Sequence, residues 1–581
     1  MRTVFSAGAL ALAVLLPAHG ALSAQAPSPP AAAGEALEVL LVNVEVWVHD
    51  ERGVPIQGLG VEDFELLEDG VAVPITHFAE IRTPPPVDPL AGGLPVQGPA
   101  APGGPEPGVV EPEREPGHLV LYFDQLHLAP LGTRRLAREL REFLVEQKVP
   151  HERVLVVRQG FELYTEAGLG STRQEVEEAL DRIAQAPPLG EVDPQLALSR
   201  LQSRWEMAQE TPNPCQAFTI DARAEIASRM AEIERRSATT LENLRATARL
   251  LAALPGPKTL LFASDSLETR PGADLVRFAQ NTCPGQREWD DLAAGGDTAQ
   301  LVQRVTGFAQ EASRNRITVY PFRPSGLRAP LRMGADQRSL DIRSTSGVDL
   351  LQRAVQRDGL LELARQTGGW AVLDRNRFEG ELERVAADMT GYYSLAYSPP
   401  HPGVADEHRL EVRLRGERAK GLVLRHRLGY RDPGQQDPLQ EALDGAIAFG
   451  VMRNPLGVRL AAGTVEPAGE NLYALPLHVL VPAAGVAFLP EQPSDRATVQ
   501  VTVQTSEART RRRAKLQEDF RPARPPSGGD LLDLLVRLEL PAGVHVVAVA
   551  VRDAIARELS VVSTTVAIHD PATAAAGSRQ P

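Results

Sequence analysis

Asp124 is the residue whose type and position speak most directly of chemistry. It ends the run His118-Leu-Val-Leu-Tyr-Phe-Asp124, in which five apolar residues follow one another without alternation and stop at a carboxylate. A continuous apolar run of this length suits a strand buried on both faces, as in the middle of a parallel sheet. A helix follows, with Leu136, Leu140, Phe143 and Leu144 on one face. Strand, loop and helix in that order put Asp124 at the carboxyl edge of the sheet, where open α/β folds bind their ligands. A second carboxylate, Asp265, follows the strand-like run Lys258–Ser264 and stands between Ser264 and Ser266.

The remaining reactive groups are few. The only cysteines are Cys215 and Cys283, in the irregular stretches Asn213-Pro-Cys and Cys283-Pro-Gly. In an oxidising compartment the pair closes a disulfide, worth about 4 kcal/mol for a loop of that length; the other reading is two unrelated thiols. There is no Gly-x-Ser-x-Gly elbow, no His-Glu-x-x-His and no Gly-x-x-x-x-Gly-Lys-Ser/Thr loop. Gly168-Leu-Gly170-Ser-Thr has the look of a phosphate-binding turn but lacks the lysine, so Ser171 reads as a helix N-cap with Gln174 completing a capping box. Arg134 and Arg135 read as solvated. The residues therefore point away from an enzyme, and a hydrolase is only a distant third reading behind the two binding roles given below.

The formal net charge of −14 over 581 residues argues against a nucleic-acid partner. The one basic cluster, Arg509 to Lys515, lies between strand-like runs and reads as a solvated loop. Arg2, the apolar run Ala9–Leu16 and the small residues Ser23-Ala24-Gln25-Ala26 form a secretory signal peptide over 1–26, too short to span a bilayer. No later segment is apolar enough to be transmembrane. The expectation is an exported protein, periplasmic or extracellular.

The elements that must position Asp124 and Asp265 read as follows. Val42, Val44, Val46 and Val48 alternate with polar residues as a half-buried strand, and Asp69-Gly70 marks a hairpin tip, so 37–82 is an N-terminal β module. A Pro/Gly-rich linker covers 83–116. From 117 to 390, strands at His118–Asp124, Arg153–Val157, Phe161–Thr165, Lys258–Ser264, Arg316–Phe322 and Trp370–Leu373 alternate with helices, which argues for a largely parallel, doubly wound sheet. The connection near 187–254 is long. It reads as a loop and then a helix carrying Ile226, Met230, Ile233, Leu241, Leu244, Ala248 and Leu251. The strand-like stretches of 391–432 either stand alone or complete the N-terminal module around an inserted α/β domain. Residues 437–570 read as a C-terminal β-sandwich, and 571–581 as a disordered tail.

Several blocks carry a resemblance. Val44-Glu-Val-Trp-Val-His-Asp50, Asp63-Phe-Glu-Leu-Leu-Glu-Asp-Gly70, Leu119–Asp124, Lys258–Asp265, Leu363–Gly369 and Tyr392–Pro399 occur in the order seen in bacterial von Willebrand factor A (VWA)-related proteins of the acidobacterial type, which the chain resembles from about Leu37 to Tyr430. The resemblance implies a Rossmann-like, doubly wound VWA domain in an α/β chain flanked by all-β modules, acting as a protein-binding or scaffold module. VWA domains commonly hold Mg²⁺ at a metal-ion-dependent adhesion site built on Asp-x-Ser-x-Ser after the first strand. Hard oxygen ligands there leave one position for a partner's carboxylate. Here the motif reads Asp124-Gln-Leu126-His-Leu128, with leucine in place of both hydroxyls, and no Gly-Gly-Thr stretch supplies a third ligand. The implied site is degenerate. Asp124, Asp265 and Ser266 are its candidate metal ligands, for Mg²⁺ or another divalent cation. In the preferred reading no cofactor binds, Asp124 caps a turn, Asp265 caps a helix start and His127 is a loop histidine.

Overall fold

The structure is a computed structural model, and its described residues run from 41 to 568 without 83–116, 327–341 and the short stretches 147–148, 188, 190–193, 296–297, 401–406, 417–418, 432–437, 451–452, 470, 492–493, 508–512, 526–529 and 557. The expected signal peptide, linker and tail lie outside the described residues. The valines at every second position build β1 (Val42–Asp50) and point into a hydrophobic core. Its other face, read as polar and half-exposed, is buried too: Glu45, Trp47 and His49 are all covered. The reason is that this face meets the α/β domain, where Arg316 Nε lies 2.6 Å from Glu45 Oε1 and Trp47 Nε1 donates to the carbonyl of Asp388. β2 (Phe64–Glu68) and β3 (Val71–Val73) form a hairpin, and β4 (His77–Arg82) follows. The hairpin tip, Asp69-Gly70, takes positive φ at both residues, the geometry for which Asp-Gly is suited.

The α/β domain opens with β5 (His118–Asp124), buried at every residue. The elements α1 (Pro130–Glu146), β6 (Val154–Gln159), β7 (Leu163–Ala167), α2 (Arg173–Gln185), α3 (Pro194–Ala208), α4 (Pro214–Leu250), β8 (Lys258–Ala263), α5 (Ala273–Thr282), α6 (Arg287–Gly295), α7 (Thr298–Arg314), β9 (Ile317–Phe322), α8 (Ile342–Thr367) and α9 (Glu379–Thr390) follow in turn. The sheet order is β7-β6-β5-β8-β9, with β6, β5, β8 and β9 parallel and β7 antiparallel at one edge. Leu119, Leu121 and Phe123 face a core made with α1, α2 and α9, while Val120 and Tyr122 face one made with α4, α7 and α8. Burial on both faces explains the unbroken apolar run.

Four details differ from the sequence expectation. The stretch read as a loop after residue 187 contains α3, whose Ala197, Leu198, Leu201 and Ala208 pack on α4 and α5. α2 is capped by Thr172 and Glu175, one residue beyond Ser171 and Gln174, with Thr172 N–H donating 2.7 Å to Glu175 Oε2. Trp370–Leu373 forms no full strand, only a parallel bridge between Val372 and Phe322. Part of the basic cluster, Arg513 to Lys515, is strand rather than loop, though its side chains are solvated as expected.

The chain then returns to the first module. β10 (Gly391–Tyr397), β11 (Glu407–Leu414), β12 (Leu422–His426) and β13 (Gly429–Arg431) complete two four-stranded antiparallel sheets, β12-β1-β10-β4 and β13-β11-β2-β3. Val44 pairs with Leu395 and Val46 with Tyr393, so the α/β domain is an insertion between β4 and β10. The seam between them is organised by Asp388 of α9. Its carboxylate accepts from Arg425 at 2.8 and 2.9 Å, from Trp370 Nε1 and Tyr320 OH at 3.0 Å, and lies 3.3 Å from His49 Nε2.

After α10 (Pro438–Phe449) come β14 (Arg459–Ala462), β15 (Glu466–Gly469), β16 (Leu472–Pro482), β17 (Val499–Glu507), β18 (Arg513–Phe520), β19 (Leu531–Pro541), β20 (Gly543–Asp553) and β21 (Leu559–Ile568). One sheet has β16 at its centre, with β14 and β15 on one side and β19 on the other; the second runs β18-β17-β20-β21. Their inward residues, among them Leu477, Val479, Val501, Leu534 and Val549, form one core. The protein is thus a mixed α/β chain with one parallel-rich sheet and several antiparallel sheets.

Candidate functional site

The chain runs outward from β5 to β6 on one side and resumes at β8 on the other, so the crevice between β5 and β8 is a topological switch point. Asp124 and the segment Ser264-Asp265-Ser266 lie at its carboxyl end. Asp124 is wholly buried. Its Oδ2 accepts from Ser264 Oγ at 2.9 Å and Thr240 Oγ1 at 3.3 Å, and lies 2.7 Å from His127 Nδ1. Its Oδ1 is buried with no hydrogen-bond partner among the described residues. The turn after β5 is closed by the Asp124 backbone carbonyl, which accepts from the N–H groups of His127 and Leu128.

The polar chain continues inward. Gln159 Nε2 donates to Thr240 Oγ1 at 3.1 Å, and Tyr122 OH donates to Gln159 Oε1 at 3.0 Å. Burial, then the charge of Asp124, pushes the Tyr122 phenol well above its ordinary pKa, so it stays protonated and remains a donor. Each of these groups is fixed by a neighbour, which is what makes a buried network tolerable.

Asp265 has a different task. Its Oδ2 accepts the N–H of Ala129, just before α1, at 2.8 Å, and its Oδ1 accepts the N–H of Ser325, after β9, at 2.7 Å. One carboxylate therefore ties three edge loops together and stands at the start of α1 rather than of the helix after β8. The loops are close enough to need glycine: a Cβ at Gly132 of α1 would fall 2.7 Å from the Pro324 carbonyl. Leu126 and Leu128 are buried. Ser266 turns away, its hydroxyl 3.4 Å from Glu268 Oε1, so Ser264 and not Ser266 faces Asp124. Glu268 is buried beside Asp274, with Arg229 near. Burial, then the charge of Asp274, pushes its carboxyl up to about 8. Asp274 is also raised, chiefly by burial, while accepting from Gln352 Nε2 at 3.0 Å.

These residues do not fit a Mg²⁺ shell. Both oxygens of Asp265 are committed to backbone N–H groups, three donors crowd one oxygen of Asp124, and only its Oδ1 is left over. Among the described residues no group of three or more His, Cys, Asp or Glu side chains stands together as a metal set. The Asp124–His127 contact is of the kind that orients a general-base histidine, but no hydroxyl or thiol among the described residues is hydrogen-bonded to the other ring nitrogen. Cys215 and Cys283 lie elsewhere and are joined in a disulfide that staples the start of α4 to the end of α5.

Sequence reasoning missed Thr240, Ser264 and Gln159 as members of this network. Thr240 had a visible signal. Ser237, Thr240 and Thr247 recur at helical spacing on the buried face of α4, and hydroxyls on an apolar stripe ask for a polar partner. No known protein family and no curated protein matches this chain.

Proposed function

We propose that this is an exported, VWA-related protein-binding or scaffold module whose carboxyl-edge loops form the recognition surface without an ion. The observation that carries this reading is the double commitment of Asp265 to the N–H groups of Ala129 and Ser325, which holds the loops by protein hydrogen bonds alone. The sheet order, with its antiparallel outer strand and the switch point at β5 and β8, supports the family resemblance. On the same edge Leu131 and Phe161 are 75% and 71% exposed, the kind of apolar anchors a protein partner buries.

The second reading is a cation-dependent adhesion module centred on Asp124 and Asp265. The unpartnered Asp124 Oδ1 favours it. Thermal unfolding of the mature protein separates the two. In EDTA and with added Mg²⁺, Ca²⁺ or Mn²⁺ the melting temperature is expected to stay the same. A rise with any ion that disappears in Asp124→Ala would replace the metal-free reading with the cation-dependent one, since a ligand that binds only the folded state must stabilise it.

A further inference from the structure

The C-terminal sheets have unequal edges. β18 is guarded by Arg513, Lys515, Glu518 and Asp519, and the edge formed by β14 and β15 is split into two short pieces. Charge and brevity are the usual protections of an exposed edge. β19 has neither. It is an eleven-residue strand, its alternation of exposed and buried residues is unbroken, and among the described residues it pairs with β16 alone. Its inward side chains, Leu532, Leu534, Val536, Leu538 and Leu540, are all core. On its outward face Leu535 is 53% exposed at mid-strand, between Asp533 and Arg537.

We propose that β19 pairs with β19 of a second copy of this chain, antiparallel about a two-fold axis at Leu535. The register follows from charge and overlap together, since centring on Leu538 would also oppose Arg537 and Glu539 but would pair only residues 535–541 of the strand. With Leu535 opposite itself, Asp533 of each copy faces Arg537 of the other, and opposite charges directly across a ladder are favourable. The inward residues also match, Leu534 against Val536 and Leu532 against Leu538, so the core stripe runs on across the axis. Centring on Val536 would set Asp533 against Glu539, a repulsion. Centring on Leu534 would set Arg537 against Leu531 and Asp533 against Leu535, so that no charge is met across the axis and Asp533 keeps only His478 of its own chain, 3.0 Å away. Odd shifts would put core residues of one copy on the outer face of the other. The pairing is isologous and closed, so it stops at a dimer.

The test is the mass of the mature protein in solution by light scattering or sedimentation, together with site-specific trapping. The wild type is expected to be a dimer at micromolar concentration. Leu535→Lys places two ammonium groups on the axis and should give a folded monomer whose melting temperature no longer rises with protein concentration, as that of a dimeric wild type must. Arg537→Asp should weaken the dimer at least tenfold, and the exchange Asp533→Arg with Arg537→Asp should restore it. Among the described residues there is no free cysteine, so an introduced thiol reports cleanly. A short bismaleimide should link Leu535→Cys to its copy and leave Asp533→Cys unlinked. A wild type that stays monomeric overturns the proposal, as does a dimer that survives Leu535→Lys and is not trapped through Leu535→Cys.

Discussion

At the seam between the β module and the α/β domain, Asp388 has both carboxylate oxygens engaged, and a guanidinium, that of Arg425, among its partners. At the sheet edge, Asp124 is buried at least as deeply but meets no guanidinium or ammonium group, and its hydrogen bonds all fall on one oxygen. Burial raises the Asp388 carboxyl, but the hydrogen bond with His49, the charge and hydrogen bonds of Arg425 and the indole of Trp370 outweigh it and leave the group below its ordinary value. The contrast separates a carboxylate that fastens two domains from one that organises loops. The first is a charge held by a guanidinium; the second is an acceptor held by two hydroxyls and an imidazole.

The largest test of that difference is Asp388→Asn. The amide cannot neutralise Arg425, and its NH₂ group meets the Trp370 and Tyr320 donors. Removing one partner of a buried ion pair typically costs 3–5 kcal/mol, so urea unfolding should show a loss of about that size. A loss below about 1 kcal/mol would mean that the seam carries little of the stability and that the two aspartates are more alike than their partners suggest.

Glu268, two residues beyond Ser266, sharpens the comparison from the opposite side. It is a buried carboxyl facing another carboxyl, Asp274, with Arg229 as the nearby cation, and its pKa is raised to about 8. The folded state keeps a proton there that the unfolded chain releases above an ordinary value near 4.5. Its contribution is therefore full at low pH and is lost as pH rises toward 8, with a slope of at most about 1.4 kcal/mol per pH unit. His118, pushed down to about 4 by burial and then by Lys258 and Arg153, works with the opposite sign, but only below its ordinary 6.5. Denaturant midpoints between pH 6.5 and 8 should thus fall with pH in the wild type and fall less in Glu268→Gln. Parallel curves for the two proteins would remove Glu268 from the account.

Much of this arrangement could be read from residues alone, and the part that could not has a physical cause. A strand buried on both faces has no alternation to conceal it, so the parallel centre of the sheet and the place of Asp124 at its edge were legible from 118–124. The Asp388 seam was not. Trp47, His49, Tyr320, Trp370 and Arg425 are far apart in sequence, and β1 read as half-exposed because nothing local announces that an inserted domain will cover its second face. The donors to Asp124 were missed for a related reason. Helical spacing told which face of α4 is apolar, but not that Thr240 on that face stands over the end of β5. The cap of α2 shifted by one residue because Ser171-Thr172 and Gln174-Glu175 offer the same chemistry twice, and only backbone geometry chooses between them.

The smallest expected effect falls on the residue with which the comparison began. Asp124→Asn keeps one acceptor for Ser264, Thr240 and His127, and places an NH₂ group where Oδ1 has no partner. No guanidinium loses its counter-charge. The cost should be near that of a single altered neutral hydrogen bond, about 1 kcal/mol, several-fold less than at Asp388 although Asp124 is the more deeply buried. Unfolding free energies of the two asparagine variants, measured side by side in EDTA, decide the matter. Equal losses would mean that Asp124 is held by something other than Ser264, Thr240 and His127. A loss at Asp124 that appears only when Mg²⁺ or Mn²⁺ is restored would locate that missing partner at Oδ1 and turn the loop organiser back into a cation site.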